Sequence, residues 1–425
     1  MKKIFFVVFI IVLSLPVIAQ TDSIVFSKFT TAQNRSKFYN NLIDNSITKN
    51  LSLRLTDSTE ENWQEAFYAM ELIYYKEPWV IAKLKIAADS LKKRSTDFQK
   101  TFLELIYGNK LKNFTSQADE LFKTTVNGKV FAMCAEYLLL TDTSRNNKIY
   151  VGKIVSKRMN QLNTDDDFIA VSGLSRHLEN IDKIKKISLP IFFKPLFKKE
   201  YLKGNTIVYS IQRKNRNYPG LVLIKDTGGN FVTNNNGVIF TVPQLARSLS
   251  SLPFYITNGN TPQGIFRMDG FDKSRSNFIG PSENIQLTMP VETSIKHFLK
   301  DSSITDTVWR KEWYGKLLPK GLSAYDPMYE SFYAGTIGRT EIIAHGTAVD
   351  PEYYKGQLYY PYTPTAGCLC TKEIWDAAGK RMVSDQKKLA DAVKKAGGAN
   401  GYLIVLELDD ADKAVTAEEI LPYLK

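Results

Sequence analysis

The spacing of apolar residues changes near Leu189, and that change dictates a chain in two parts. Before it, apolar residues recur every three to four positions, the period of one helix face. After it, short β-branched and aromatic runs alternate with turn signals. The first part reads as helical from about Asp22 to about Ile184. Ser58-Thr59-Glu60-Glu61 has the spacing of a capping box, and Trp63, Ala66, Phe67, Met70, Ile73 and Tyr74 follow it in helical register. Pro78 marks a break, with a second helix expected over Trp79 to Lys93. Phe98, Phe102, Leu105 and Ile106 form a third stripe, and Val130, Phe131, Cys134, Tyr137 and Leu138 a further one. Antiparallel helices with short links give a bundle or a short helical-repeat array. Cys134 sits within its stripe and reads as a buried structural thiol. His177 lies near a helix end with no recognisable partner.

In the second part, Ile207 to Ile211 and Leu221 to Ile224 read as strands, separated by the polar turn Lys214 to Gly220. Gly228-Gly229-Asn230 and Asn234-Asn235-Asn236-Gly237 are further turn signals. A turn-rich β region follows from about Phe254 to Thr347. Ser384 to Ala396 reads as a helix closed by Gly397-Gly398, and Tyr402 to Leu408 as a buried strand. The fold class is therefore α+β and multidomain. An all-helical domain over 22–184 precedes a mainly β domain with appended helices over 251–425. The β-rich residues 190–250 are either a connecting region or the first part of that second domain.

Residues 1–19 have the pattern of a signal peptide. Lys2 and Lys3 precede an apolar run from Ile4 to Ile18, and Val17-Ile18-Ala19 places small or modest residues at the cleavage positions. The run is short for a membrane span, which needs about 20 residues. An uncleaved N-terminal anchor is the rival reading. Export to the periplasm or cell envelope is the expectation. The net charge is +12, or +10 without Lys2 and Lys3, which reads first as simple solubility and otherwise as affinity for wall polymers, lipid headgroups or stem-peptide carboxylates. No nucleic-acid motif is visible, so nucleic acid is not expected as a partner. Only three cysteines occur, too few for a disulfide framework in an exported chain.

One constellation carries chemistry. His345 ends the apolar run Glu341-Ile342-Ile343-Ala344, with Gly346-Thr347 beyond it. Cys368 follows 23 positions later, in Thr365-Ala366-Gly367-Cys368-Leu369-Cys370. Gly367 lets the backbone approach closely or take a positive φ beside the thiol. Thr371 to Trp375 reads as the start of a helix, whose N-terminus would favour a thiolate. An imidazole near the thiol would take its proton, and N–H groups around Gly367 and Cys368 would form an oxyanion hole. The product would be a thioester.

Three segments resemble the L,D-transpeptidases. Thr257-Asn258-Gly259-Asn260-Thr261-Pro262-Gln263-Gly264-Ile265-Phe266 is similar to that family's "TPTG-x-F" segment. His345-Gly346-Thr347 is similar to its "HGT" segment, and Thr365-Ala366-Gly367-Cys368 to its Ser/Thr-His-Gly-Cys segment. They occur in the family's order, and the resemblance covers about Phe254 to Leu408. It implies a mainly β L,D-transpeptidase catalytic domain that cuts the diaminopimelate–D-alanine bond of a peptidoglycan stem. The acyl group passes through a thioester to an amine, or to water in a carboxypeptidase. Wall biogenesis and cell shape would be the context. The resemblance makes Cys368 the nucleophile, His345 the base and Gly367 part of the oxyanion region. Gly346, Thr365, Arg339 and Tyr362 are the candidates for substrate contact. No cofactor and no metal are expected, since Cys368, Cys370 and His345 lack a clear fourth ligand.

Two positions depart from the family pattern. Ala366 stands where a His is usual, and Cys370 where Arg or Asn is usual. Cys370 is expected to pack; a strained bond to Cys368 is its rival reading. Tyr353, Tyr354, Tyr359, Tyr360 and Tyr362 are either a lid over an extended substrate or ordinary loop packing. Arg267 is a further candidate for a substrate carboxylate, and His297 reads as structural. The alternative to an enzyme is an envelope protein that binds peptidoglycan stems. In it the N-terminal helices are a platform for a protein partner.

Overall fold

A computed structural model describes residues 25–161, 165–180 and 189–424. The expected leader over residues 1–19, and the ends expected for the helical region at Asp22 and Ile184, lie outside the described residues. Among the described residues, no helix is long and apolar enough to cross a membrane.

The N-terminal part is helical. Its longer helices are α1 (Ala32–Asn41), α2 (Glu60–Leu72), α3 (Pro78–Ser90), α4 (Thr96–Gly108), α5 (Thr115–Thr124), α6 (Gly128–Thr141), α7 (Arg145–Met159) and α8 (Asp165–Asn180). The capping box lies two residues earlier than expected. Thr56 and Thr59 cap the 3-10 turn Asp57–Thr59, which runs directly into α2. Glu60 has other work. Its carboxylate accepts the Ser95 N–H and hydroxyl and pairs with Arg94 at 3.3 Å, which braces α2 against the start of α4. Pro78 opens α3 as its first residue, where its missing N–H costs nothing. Ser95 caps α4 and Asn127 caps α6, each accepting an N–H three residues on.

The stripes meet in one core. Phe67 packs edge-to-face on Phe98 and Phe102, and Phe102 on Phe114, with ring centroids 5.3 to 5.7 Å apart. Cys134 is fully buried in α6, and burial pushes its thiol up. Tyr74 falls beyond α2, at φ +52, and belongs to the turn instead of the stripe. His177 has partners that its sequence context did not disclose. Its Nδ1 lies 2.7 Å from Glu136, and Tyr255 donates to the same carboxylate. His297 is exposed and meets Asp269 at 2.8 Å.

The C-terminal part is built on one eight-stranded sheet. Its strands are β1 (Ile207–Gln212), β2 (Gly220–Lys225), β3 (Val242–Gln244), β4 (Gly264–Asp272), β5 (Asn284–Thr288), β6 (Ile343–His345), β7 (Leu369–Cys370) and β10 (Tyr402–Glu407), in the order β3-β2-β1-β10-β4-β5-β6-β7. β1 and β10 run parallel, as do β6 and β7. Just past β3, Leu245 bridges to Cys370 with paired N–H···O contacts of 2.8 Å. That bridge brings the two edges together, so the sheet curls almost into a barrel. The segment 190–250 thus contributes strands from Ile207 onward to the same sheet as β4 and β10.

The central strands are buried on both faces. Tyr209 and Ile404 face one core; Val208, Leu403 and Val405 face the other, under Leu389 and Val393 of α11 (Asp385–Lys395). Two further helices frame the sheet, α9 (Leu189–Phe197) before β1 and α10 (Glu330–Thr336) before β6. Residues Glu373–Trp375 form β8, paired with β9 (Arg381–Ser384), where a helix start was expected. The Thr371 N–H goes to the His345 carbonyl and its hydroxyl to Gln386, both at 2.9 Å, and the residues after it are drawn into the β8–β9 ladder.

The two parts share a core. Leu252, Tyr255 and Ile256 insert into the helical cluster, and the Tyr354 hydroxyl donates to the Leu72 carbonyl at 2.8 Å. Tyr353 stacks on Tyr39, and Arg35 pairs with Asp350 at 3.1 Å. So Tyr353 and Tyr354 pack against the helices, Tyr359 is buried, and Tyr360 and Tyr362 remain nearest to solvent.

Two acids lie in this interface. Burial and the charge of Glu104 push Glu71 well above the usual carboxylate range, and burial pushes Glu104 up to about 7. Lys100, Arg247 and the Asn258 side chain oppose these shifts. A raised carboxyl favours the protonated folded state, so its stability is full below pH 4.5 and is lost as the pH rises toward about 7. Glu104→Gln fixes a neutral side chain there. We expect melting temperature to fall with pH across that window in the native protein and to fall less in the variant. Parallel slopes in the two would refute this account.

Candidate active site

His345 ends β6 and is held from three sides. The Thr371 N–H meets its carbonyl, Gln386 Nε2 meets the Ala344 carbonyl at 3.0 Å, and β5 pairs Ile285 with Ala344. The imidazole Nδ1 lies 2.6 Å from the Gly346 carbonyl oxygen. A carbonyl only accepts, so Nδ1 carries the proton and the Nε2 lone pair is left to act as a base. Burial lowers the proton affinity of His345, which keeps it neutral at neutral pH. The Gly280 N–H also binds the Gly346 carbonyl, at 2.9 Å. Gly346 must be glycine, because a Cβ there would collide with the Glu373 carboxyl. Glu373 is buried, accepts from the Ser282 and Ser384 hydroxyls, and keeps Oε2 without a partner.

Cys368 immediately precedes β7, on a loop shaped by Gly367. Gly367 has φ +125, and a Cβ there would lie 2.5 Å from the Arg339 guanidinium and 2.9 Å from the Gly259 carbonyl. Thr261 donates to the Gly367 carbonyl at 2.8 Å. The Thr365 hydroxyl accepts the Gly367 N–H at 3.0 Å and donates to the Cys368 carbonyl at 2.9 Å. In the structure the Gly367 N–H is taken by Thr365, and the Thr365 hydroxyl shapes the loop. The contribution of Gly367 is the room that its missing side chain leaves.

Arg339, a candidate for a substrate carboxylate, already has partners in the structure. It is buried, and its guanidinium donates to the carbonyls of Phe254 (2.6 Å), Asn260 (3.0 Å) and Gly259 (2.9 Å). It is a loop clamp, and it sets a positive charge beside the thiol instead of meeting a substrate carboxylate. Arg267 is likewise spent, on Asn400 at 2.7 Å and Asp269 at 3.5 Å. Tyr362 is half-buried, with Lys372 5.9 Å from its ring, and stays at the edge of the site.

Opposing effects set the Cys368 thiol. Burial raises it most; the Ile343 N–H and Arg339 lower it, and Glu341 raises it. The thiol lies 3.6 Å from the carbonyl of Glu341, a residue at φ +60. The net direction is up. In the parallel β6–β7 register His345 stands opposite Cys370, and Cys368 lies two residues earlier in the chain, on the loop that enters β7. Among the described residues no hydrogen bond joins the imidazole to Cys368.

Cys370 is nearer in register but differently placed. It is buried, lies 3.6 Å from the Thr363 hydroxyl, and is pushed up to about 12 by burial. All three cysteines are free. Cys368 is the one beside a cation and partly open to solvent, with Ala366 exposed next to it. Among the described residues, no group of three or more His, Cys, Asp or Glu side chains is placed to hold a metal.

Sequence reading did not foresee the clamp made by Arg339 or the burial of Glu373. Arg339 carried no local signal, being 29 positions from Cys368. Thr261 was legible, since it lies in the Thr-Pro segment. No protein-family model, curated protein or solved structure matches this chain.

If Arg339 holds the thiolate down, removing its charge must slow alkylation of Cys368. Arg339→Met is expected to reduce the iodoacetamide rate constant at neutral pH about tenfold for each unit that the thiol rises. Arg339→Lys should recover part of it, and peptide mapping should show Cys370 unlabelled in the native fold. An unchanged rate in Arg339→Met, or labelling led by Cys370, would overturn this assignment.

Proposed function

We propose that this chain is an exported cysteine acyltransferase of the cell envelope, an L,D-transpeptidase acting on peptidoglycan stem peptides. The carrying observation is a partly accessible Cys368, flanked by Arg339 and the Ile343 N–H, just before the strand that pairs with the one ending in His345, whose Nδ1 faces the Gly346 carbonyl. The three family-like segments support the substrate class. Two of them, Thr261 and the Gly367–Cys368 turn, are joined by a hydrogen bond.

In this reading His345 Nε2 takes the Cys368 proton, directly or through one water, once substrate draws the two groups together. Catalytic contacts of this kind tighten in the substrate complex. The thiolate attacks the diaminopimelate carbonyl, and the C–N bond to D-alanine breaks. The imidazolium returns its proton to the leaving amine. The thioester then passes its acyl group to an amine of a neighbouring stem, or to water.

A second reading is favoured by one feature. The raised thiol, without a hydrogen bond to His345, suits a catalytically impaired envelope protein that binds stems. Its helical part would then serve as a platform for a protein partner.

One experiment separates the two readings. Mature protein is incubated with a tetrapeptide stem and analysed by mass spectrometry, beside a Cys368→Ala control. An acyl adduct on Cys368 with released D-alanine, absent from the control and nearly absent from His345→Ala, is the result expected of the enzyme. Retention of the stem without adduct or release would favour the binding protein.

A further inference from the structure

A cavity of about 260 Å3 lies where α8 and the Tyr107 end of α4 meet the β part, between Lys214, Arg216, Glu330 and Glu407. Neither Cys368 nor His345 lines it. Most of its charges are already matched. Arg216 pairs with Glu407 at 2.8 Å, and His177 with Glu136 at 2.7 Å. Arg176 lies over the Tyr333 ring at 4.0 Å and reaches Asp326 at 3.8 Å.

Two groups are left over. Among the described residues, the Lys214 ammonium has no hydrogen bond and no ion pair. Among the described residues, the Glu330 carboxyl accepts only the Gln263 N–H, at 2.9 Å, and no cation lies within ion-pair distance, although Arg216 acts on it from farther off. The two do not pair with each other. An ammonium partly open to solvent and an acid without a close cation thus line one partly open cavity, and a ligand carrying both charges can meet both. Burial and the facing Glu407 push the Glu330 carboxyl well above its usual range. The Gln263 N–H and Arg216 oppose that rise, and a ligand ammonium beside Glu330 would favour its ionised form further.

We propose that this cavity binds a small zwitterion, an α-amino acid or a short peptide with both ends free, its carboxylate on Lys214 and its ammonium on Glu330. Tyr107 and Tyr255 supply walls for the remainder of the ligand. The site is separate from the thiol, yet both rest on one loop. Phe254, Asn260 and Thr261 line the cavity, and the Phe254 and Asn260 carbonyls hold Arg339 beside Gly367.

Calorimetric titration of the Cys368→Ala full chain tests this, because no thiol chemistry is then involved. Failure here leaves the acyl-transfer reading standing, and failure of that reading leaves this one standing. The probes are alanine and dialanine, against propionate and ethylamine as single-charge controls. Binding of a zwitterion at least tenfold tighter than either control is expected, and the stronger of alanine and dialanine identifies free amino acid or peptide. Lys214→Met and Glu330→Gln should each weaken it at least tenfold. Lys214 has no partner to lose, and the amide introduced by Glu330→Gln keeps an acceptor for the Gln263 N–H. Both variants should therefore fold with native melting temperatures. No heat from either zwitterion up to millimolar concentration overturns the proposal. So does binding that both variants leave intact, or that the controls match.

Discussion

A buried guanidinium must find acceptors, and Arg339 finds them in the carbonyls of Phe254, Gly259 and Asn260. The rest of the site depends on that arrangement. The loop it gathers presses Gly259 and Thr261 against Gly367, which fixes the turn that carries Cys368. The same loop sends Tyr255 and Ile256 into the helical core. One charged side chain therefore links the thiol's surroundings to the packing of the N-terminal helices. Leaving those carbonyls unpaired would cost about 1–3 kcal/mol each, so the loop has little freedom to move away.

The second constraint is closure of the sheet. Leu245 bridges Cys370, and Ser248 bridges Thr365, so the chain after β3 lies against the loop that holds the thiol. Arg247 braces that chain through the Ser248 and Leu249 carbonyls and lies 4.5 Å from the Tyr359 ring. The tyrosine-rich segment between His345 and Cys368 is drawn onto the helices by Tyr353 and Tyr354. The helical part thus forms one wall of the region around the site.

Burial, more than the parallel pairing of β6 and β7, separates the two thiols near His345. Register alone would favour Cys370, which stands opposite His345. Burial raises the cost of ionising Cys370 to the point where it cannot serve at neutral pH, whereas Cys368 is offset but adjacent to Arg339. Proximity in register and proximity to a cation are different properties here, and they fall on different cysteines.

Much of the architecture was legible in the sequence. The stripes through Phe67, Phe98, Phe102 and Phe131 have helical spacing and are buried, and the runs at Ile207, Leu221 and Tyr402 are strands. Local periodicity carries that information because burying one face of an element needs only residues close in the chain. The turn at Gly367 was equally local. The residues that were misread share a different cause. Thr371 looked like a helix start until its N–H was taken by His345; His177 looked unpartnered until α6 supplied Glu136; Arg339 looked free for a substrate until three carbonyls closed on it. Each depends on a group more than 20 positions away. The sequence by itself determined which faces are apolar and where the chain must turn. Only the tertiary structure decided which polar groups are already spent, because a hydrogen bond or a charge is satisfied by whatever the fold brings beside it.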